Sequence, residues 1–358
     1  MLQETLSLDG LLDKFLRPFV VNEREIPEQI MKNIIAICNV VFTKRQSISQ
    51  TYIDERLLKV QEYKKQLDQL MELPLVKQKS QEWYDMRKGI ITASDFAQAL
   101  GDGKFGTQRD FYMKKSGYVQ EAFDPYSPPL KWGNMFEDVA CGIYKKRMQC
   151  EVHEFGLLKH PTIPFFGASP DGITDLGVML EIKCPLKREI KPNAECPLQY
   201  YYQIQGQLDV CGLQECDYLE CKFEEYYDKD LFYEDTETPF EKGVIIEYRI
   251  PGQDTPSYEY SPIANASDHN VLKEWEQSHA NDLNVDSVHY WKLSILNILR
   301  IYKNDEFMDD KMILLAQVWE KVKEYRTCKD LYDKEIGEKK RRAPRVAKYS
   351  FIDEPAKE

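Results

Sequence analysis

The sequence holds nine cysteines but not one C-x-x-C pair. Structural zinc is usually held by closely spaced Cys or His pairs, so a zinc-organised domain is excluded. The odd number points to reduced thiols in an intracellular protein. Cys211, Cys216 and Cys221 recur at a spacing of five, which matches neither a zinc nor an iron–sulfur pattern. Histidine is scarce at five copies, and the seven-residue step from His153 to His160 fits no ligand spacing. Both are read as structural or surface residues. No apolar run approaches the ~18 residues a membrane span needs. Acids at Glu4, Asp9 and Asp13 stand where a signal peptide would carry basic residues, so no such leader and no membrane partner is expected. Positive charge is in deficit: 48 Lys plus Arg against 60 Asp plus Glu, a net -12. That excludes a basic coat for wholesale capture of nucleic acid. No internal repeat is present.

What is there can bury a large core. The chain has 358 residues, 42% hydrophobic and 12% aromatic, which excludes a largely disordered protein and allows two or three domains. A chain of that size needs neither disulfides nor structural metal to be stable. Residues 1–79 read as a helical domain that docks on or covers the rest. Within it, Ile53, Leu57, Val60, Tyr63, Leu67 and Leu70 recur in helical steps and Pro74 stops the pattern. Residues 80–332 read as an α/β domain. Turns fall at Ser169-Pro170-Asp171-Gly172 and Asp175-Leu176-Gly177. Strands are expected at Val178–Cys184, Asp217–Phe223 and Val244–Ile250, and a helix at Gln199–Val210. Helical patterns follow at about 268–281, 287–303 and 306–332. Glu224–Glu241 holds eight acids against one base, Lys229, and reads as a solvated, mobile loop. Residues 333–358 form a basic tail, with Lys339, Lys340, Arg341, Arg342, Arg345 and Lys348 close together. A solvated tail, a nucleic-acid contact and a nuclear localisation signal all fit it.

The chemistry concentrates in Pro170-Asp171-Gly172 and, eight residues on, Glu181-Ile182-Lys183. Strand alternation points Val178, Leu180 and Ile182 into a core and Glu181 with Lys183 the other way. The turn at Asp175-Leu176-Gly177 folds the strand back, so that Asp171 and Glu181 converge beside a lysine. Two carboxylates and a backbone carbonyl are hard oxygen ligands suited to Mg²⁺. Such an ion activates water and offsets charge on a leaving oxygen. The plain alternative is an edge strand with an exposed Glu–Lys pair.

These residues resemble the PD-(D/E)xK nuclease signature. Their surroundings narrow the resemblance. Trp83-Tyr84-Asp85-Met86-Arg87-Lys88-Gly89-Ile90-Ile91-Thr92-Ala93-Ser94 is similar to the W-x-x-x-R-x-G-x-[IV]-[TG]-[AG]-S block of the phage lambda exonuclease, or YqaJ viral recombinase, family. Trp132-Gly133-Asn134-Met135-Phe136-Glu137 resembles its W/G-x-x-x-E helix. Tyr200, Gln203 and Gln205 resemble its Y-x-x-Q-[VI]-Q helix. The blocks stand in the family's order across residues 80–223, and the N-terminal addition looks like that of large DNA virus members.

The resemblance implies a restriction-endonuclease-like core: a central mixed sheet flanked by helices, with an N-terminal helical extension and C-terminal helices. Asp171, Glu181 and the Ile182 carbonyl would bind Mg²⁺, with Mn²⁺ as a substitute, and Glu137 would complete the site. Lys183 would be the catalytic lysine, and Gln203 would orient water or metal. Arg87, Ser94 and Ser169 would line a pocket for a 5′-phosphate. Thr92 or Ser94 also suits a helix N-cap, whose free N–H groups favour an anion. Trp83 and Trp132 are read as core anchors, and Tyr200-Tyr201-Tyr202 as split between core and groove.

The implied activity is 5′-to-3′ digestion of one strand from a duplex DNA end, leaving a 3′ overhang for recombination, replication or repair. The implied partner is a single-strand annealing or single-strand-binding protein, and the implied place is the replication site of an infected cell, in cytoplasm or nucleus. A ring trimer and a single-chain clamp both remain open. Rival readings are a structure-specific endonuclease and a catalytically silent DNA-end scaffold.

Overall fold

The computed structural model describes residues 7–42, 48–74, 76–78, 80–119, 126–191, 194–252, 255–264, 268–279 and 283–337. The basic run from Lys339 to Lys348 therefore lies outside the described residues. The N-terminal region is helical as read: α1 (Leu8–Val21), α2 (Glu28–Val41) and α3 (Gln50–Met71). Ser7 and Ser49 cap the first and third, each accepting from a backbone N–H. Leu8, Leu12, Leu16, Met31, Ile34, Cys38 and Ile53 give these helices a core of their own.

Next come α4 (Gln81–Lys88), β1 (Ile91–Thr92), a 3₁₀ turn (Ala93–Asp95), α5 (Phe96–Ala99), α6 (Gln108–Ser116) and α7 (Pro128–Met148). The strands β2 (Val152–His153), β3 (Leu158–Lys159), β4 (Phe166–Ala168), β5 (Gly172–Thr174) and β6 (Met179–Lys183) follow. Then come α8 (Leu198–Cys211), β7 (Glu215–Glu225), α9 (Lys229–Glu234), β8 (Lys242–Tyr248), β9 (Ser257–Tyr260), α10 (His269–His279), β10 (Val285–Tyr302), α11 (Asp305–Thr327) and α12 (Lys329–Glu335). The larger sheet has the order β2-β5-β6-β7-β10-β8-β9, and a small sheet has the order β1-β4-β3. In the larger sheet only β6 and β7 run parallel, and α8 makes the crossover that a parallel pair requires. The architecture is the expected α/β class, a central mixed sheet with helices around it. All nine cysteines are free thiols. Among the described residues no helix is long and apolar enough to cross a membrane.

Two expectations are corrected. The helical pattern at 287–303 is the strand β10. It pairs with β7 on one side and β8 on the other, and its register shifts between Leu293 and Ile295. Trp291 and Leu293 before this bulge, and Leu296 and Ile298 after it, all enter one core cluster. The bulge changes the parity of the alternation, and the resulting three-residue step imitates a helix. The acidic stretch Glu224–Glu241 is not a mobile loop. Glu224 and Glu225 end β7, and α9 follows with Phe232 fully buried. A buried lysine, Lys242, ties the segment down by donating to the carbonyls of Phe232 and Asp235 (2.5 and 2.9 Å).

A buried ion cluster fastens the N-terminal helices to the sheet. Arg56 on α3 donates to Asp13 on α1 and to Glu215 on β7, at 2.8 Å each. Arg300 on β10 donates to Asp217 (2.6 Å) and Asp13 (3.0 Å). All five side chains are buried. Burial works against the charged form of Arg56, but Asp13 and Glu215 outweigh it and raise its pKa. Burial wins at Asp13, whose pKa is raised despite both arginines. At the β5–β6 turn, Gly177 has φ +78°, and a Cβ there would meet the Tyr63 carbonyl of α3 at 2.3 Å. Only glycine permits both the turn and this close approach. Removing one partner of a buried pair strands the rest of the charge. Arg56→Ala should therefore cost about 3–5 kcal/mol in chemical unfolding. A loss within error of an exposed arginine would contradict this role.

Candidate metal and end-binding site

The site is built where β5 begins. The antiparallel register sets Gly172 opposite Leu180 and Ile173 opposite Met179. One step outward, Asp171 therefore faces Glu181, beyond the end of the β5 ladder. The Asp171 side chain replaces the missing strand and accepts the Ile182 N–H at 2.7 Å. On its other side β6 stays paired with β7 through Lys183. The strand is thus interior, and Glu181 is 0% exposed. An exposed edge-strand Glu–Lys pair is excluded.

Glu181 is fully paired. Lys183 Nζ donates to Oε1, and Gln207 Nε2 donates to Oε2 at 2.8 Å. Burial disfavours the Lys183 ammonium, but Glu181 and Asp171 outweigh it and hold its pKa above the usual lysine value. The ring of Tyr200 lies 5.2 Å from the same ammonium. Asp171 shows the opposite balance. Burial first, then the Glu181 and Glu137 carboxylates, raise its pKa well above the usual range. Glu137 reaches this field from α7, whose neighbouring Phe136 and Ala140 are buried in the core. Among the described residues no three His, Cys, Asp or Glu side chains form a ready cation cage. Asp171 and Glu181 nonetheless face each other, with the Glu137 carboxylate acting on Asp171, and together they form a hard-oxygen set. That fits Mg²⁺, which keeps several waters and accepts oxygens from its substrate.

The residues read as an end pocket come from two parts of the chain: Ser169 stands two residues before Asp171, whereas Arg87 ends α4 and Ser94 lies in the 3₁₀ turn after β1. Arg87 Nη2 donates to Ser94 Oγ at 3.1 Å, and its guanidinium lies 4.3 Å from the Trp83 ring centre. Trp83 Nε1 donates to Ser169 Oγ at 3.0 Å. Arg87, Ser94 and Ser169 are thus brought together through Trp83. This half-buried indole is more than a core anchor: it links pocket residues from two elements. Trp132 packs against Phe136 as an anchor should, with ring centres 4.5 Å apart. Thr92 is the N-cap residue, and its own donors are taken by Asp95. Asp95 takes the Thr92 N–H (3.1 Å) and Thr92 Oγ1 (2.7 Å) in a capping box. Asp95 is itself buried against Lys115 at 2.8 Å. Burial lowers the Arg87 pKa, and Asp95 offsets part of that effect.

The helix α8 sorts its polar residues by phase. Gln205 is spent on structure, donating to the Tyr302 carbonyl (2.9 Å) and accepting the Asn304 N–H (2.7 Å). Gln207 is the residue that meets Glu181. Gln203, half-buried, stands one turn earlier on the same face. Gln207 escaped the sequence reading because the motif ends at Gln205; its signal is the four-residue step from Gln203. The tyrosines divide as expected: Tyr202 packs on Phe96 and Phe307, whereas Tyr200 faces Lys183. His160 is structural, bonded to Asp209 at 3.2 Å.

A raised Asp171 pKa means that the folded protein holds this proton more tightly than the unfolded chain does. Stability is then lost as pH rises from the usual carboxyl range through the raised value. Asp171→Asn removes that loss. In chelator at about pH 8 the variant should melt above wild type, and the gap should close towards about pH 4. Equal melting at both pH values would contradict the electrostatic account.

Residues 82–214 match the family described as the YqaJ-like viral recombinase domain. The chain is 31% identical over 338 residues to an uncharacterized protein of Acanthamoeba polyphaga mimivirus. That match covers 80% of this chain and spans 60% of the viral protein's length. Among solved structures, the alkaline exonuclease LHK-Exo from Laribacter hongkongensis, in complex with dAMP, aligns with TM-score 0.43 at 19% identity, covering 71% of this chain and 97% of that one. A phage-related exonuclease from Haemophilus somnus aligns with TM-score 0.38 at 10% identity, covering 66% and 95%. Asp171, Glu181 and Lys183 all fall inside residues 82–214, the segment that matches the YqaJ-like viral recombinase domain family.

Proposed function

We propose that this chain is a Mg²⁺-dependent deoxyribonuclease that digests linear duplex DNA 5′ to 3′ and leaves 3′ single-stranded overhangs. One observation carries the reading. Asp171 and Glu181 face each other at the frayed end of a ladder, with Lys183 on Glu181, and Ser169, two residues before Asp171, is tied through Trp83 to Arg87 and Ser94. Asp171, Glu181 and the Ile182 carbonyl would hold the ion, with Glu137 nearby. When bound, Mg²⁺ supplies Lewis acidity to the phosphodiester and to water.

The chain's own residues supply the rest. Lys183 carries a held positive charge beside the carboxylates, placed to orient the attacking water and to stabilise charge on the phosphoryl oxygens. Gln203 presents an amide from the same helical face as Gln207. Arg87 offers a fork of donors matched to phosphate, flattened on Trp83. Holding a terminal phosphate at Arg87 fixes which bond lies over the carboxylates, and this sets both end dependence and polarity. The viral relative and the domain family support a place in recombination or repair at a viral replication site, with a single-strand annealing or binding protein to take up the overhang.

The test is a time course on linear duplex labelled at either end, with Mg²⁺ or chelator. Loss of the 5′ label first, and no loss in chelator, is expected. Simultaneous loss of both labels would contradict the assigned polarity. Arg87→Ala should lower cleavage of 5′-phosphate ends to near that of 5′-hydroxyl ends. Equal loss on both substrates would make Arg87 structural.

A further inference from the structure

We infer that Gln207 is a positioning residue, one that holds the buried Glu181 carboxylate for metal and ties it to the wall of the end pocket. The inference rests on the metal-dependent reading above. Gln207 is 1% exposed on α8. Its Nε2 lies 2.8 Å from Glu181 Oε2 and 3.3 Å from the Ser169 carbonyl. Both neighbours are acceptors only, so the amide must present its NH₂ to them and the orientation is fixed by chemistry. The cost is visible on the other atom: Gln207 Oε1 is buried and has no hydrogen-bond partner among the described residues. Leaving a buried carbonyl unpaired is unfavourable. A polar side chain kept in that state is serving its donor end.

The residue types support this role. Glutamate at this position would set a second carboxylate against Glu181. An aliphatic residue would leave a buried carboxylate oxygen without its donor. Lys183 holds one oxygen of Glu181 and Gln207 the other, so the carboxylate plane is fixed from both sides. Partners of this kind set the orientation of a metal-binding carboxylate without touching the metal. A continuous path also results. Arg87 lies on Trp83, Trp83 donates to the Ser169 hydroxyl, the Ser169 carbonyl accepts from Gln207, and Gln207 donates to Glu181. The end pocket and the carboxylate pair are thereby held in one register.

The test is Mn²⁺ binding by the full chain without DNA, read by electron paramagnetic resonance of free Mn²⁺. The variants are Gln207→Met, Gln207→Asn and Asp171→Asn. Methionine keeps the volume and removes the donor; asparagine keeps an amide that is too short to reach Glu181. Each should weaken Mn²⁺ binding by roughly 10-fold or more. In digestion, the kcat advantage of 5′-phosphate ends should shrink while KM for DNA stays near wild type. Should one variant fail to fold, the other decides. Wild-type Mn²⁺ affinity in either folded variant, with Asp171→Asn defective, overturns the role of Gln207 and leaves the metal reading standing. No saturable Mn²⁺ binding by wild type overturns both.

Discussion

The structure turns on a carboxylate with no access to water. Glu181 sits in the interior of the larger sheet, and a buried charge must be paired there or it destabilises the fold. Lys183 supplies one partner from the same strand, because alternate residues share a face. Gln207 supplies the other, and it can do so only because α8 crosses back over the sheet between the parallel strands β6 and β7. The parallel pair, the crossover helix and the polar residues on its inner face are therefore one arrangement. Asp171 joins it by taking the place of the strand that ends at Gly172. Burial and the neighbouring Glu181 and Glu137 carboxylates raise the Asp171 pKa, and a divalent cation would displace that proton and offset the repulsion between the ionised carboxylates.

The sheet that carries this group is braced from the N-terminal side. Arg56 and Arg300 meet Asp13, Glu215 and Asp217 in a dry cluster spanning α1, α3, β7 and β10. Apolar contacts alone would let helices slide along a sheet. Directional pairs fix one docking position, at a desolvation cost met only by near-complete pairing. Because β7 also forms the parallel neighbour of β6, the position of the N-terminal helices and the position of Glu181 are set against the same strand.

Much of this was legible in the chain. Helical steps marked α3, the two turns and the alternation after them marked β6, and the spacing from Asp171 to Lys183 marked the chemistry, whereas the short β5 was read only as part of a turn. The misread parts have physical causes. β10 carries a bulge that converts period two into an apparent helical step, and both of its faces are buried from Leu296 to Ile298. The acidic segment depends on Lys242, a buried lysine whose partners are backbone carbonyls and so leave no trace in side-chain charge. Gln207 and Trp83 act through contacts across elements: each touches Ser169, which lies far away in the chain and is brought close only by the completed sheet.

Net acidity is compatible with a DNA substrate once the charges are placed. Several acids are consumed in the buried cluster, and others face the proposed ion. In the proposed function, Arg87 would meet a terminal phosphate and Lys183 a scissile phosphate. Affinity is then concentrated at an end rather than spread over the surface. The most direct measurement is digestion of one plasmid in closed circular and linearised form, with Mg²⁺, by wild type and by Lys183→Ala. The account predicts that wild type consumes the linear form and spares the circle, and that Lys183→Ala consumes neither. Cutting of the closed circle, or unchanged digestion by Lys183→Ala, would contradict it.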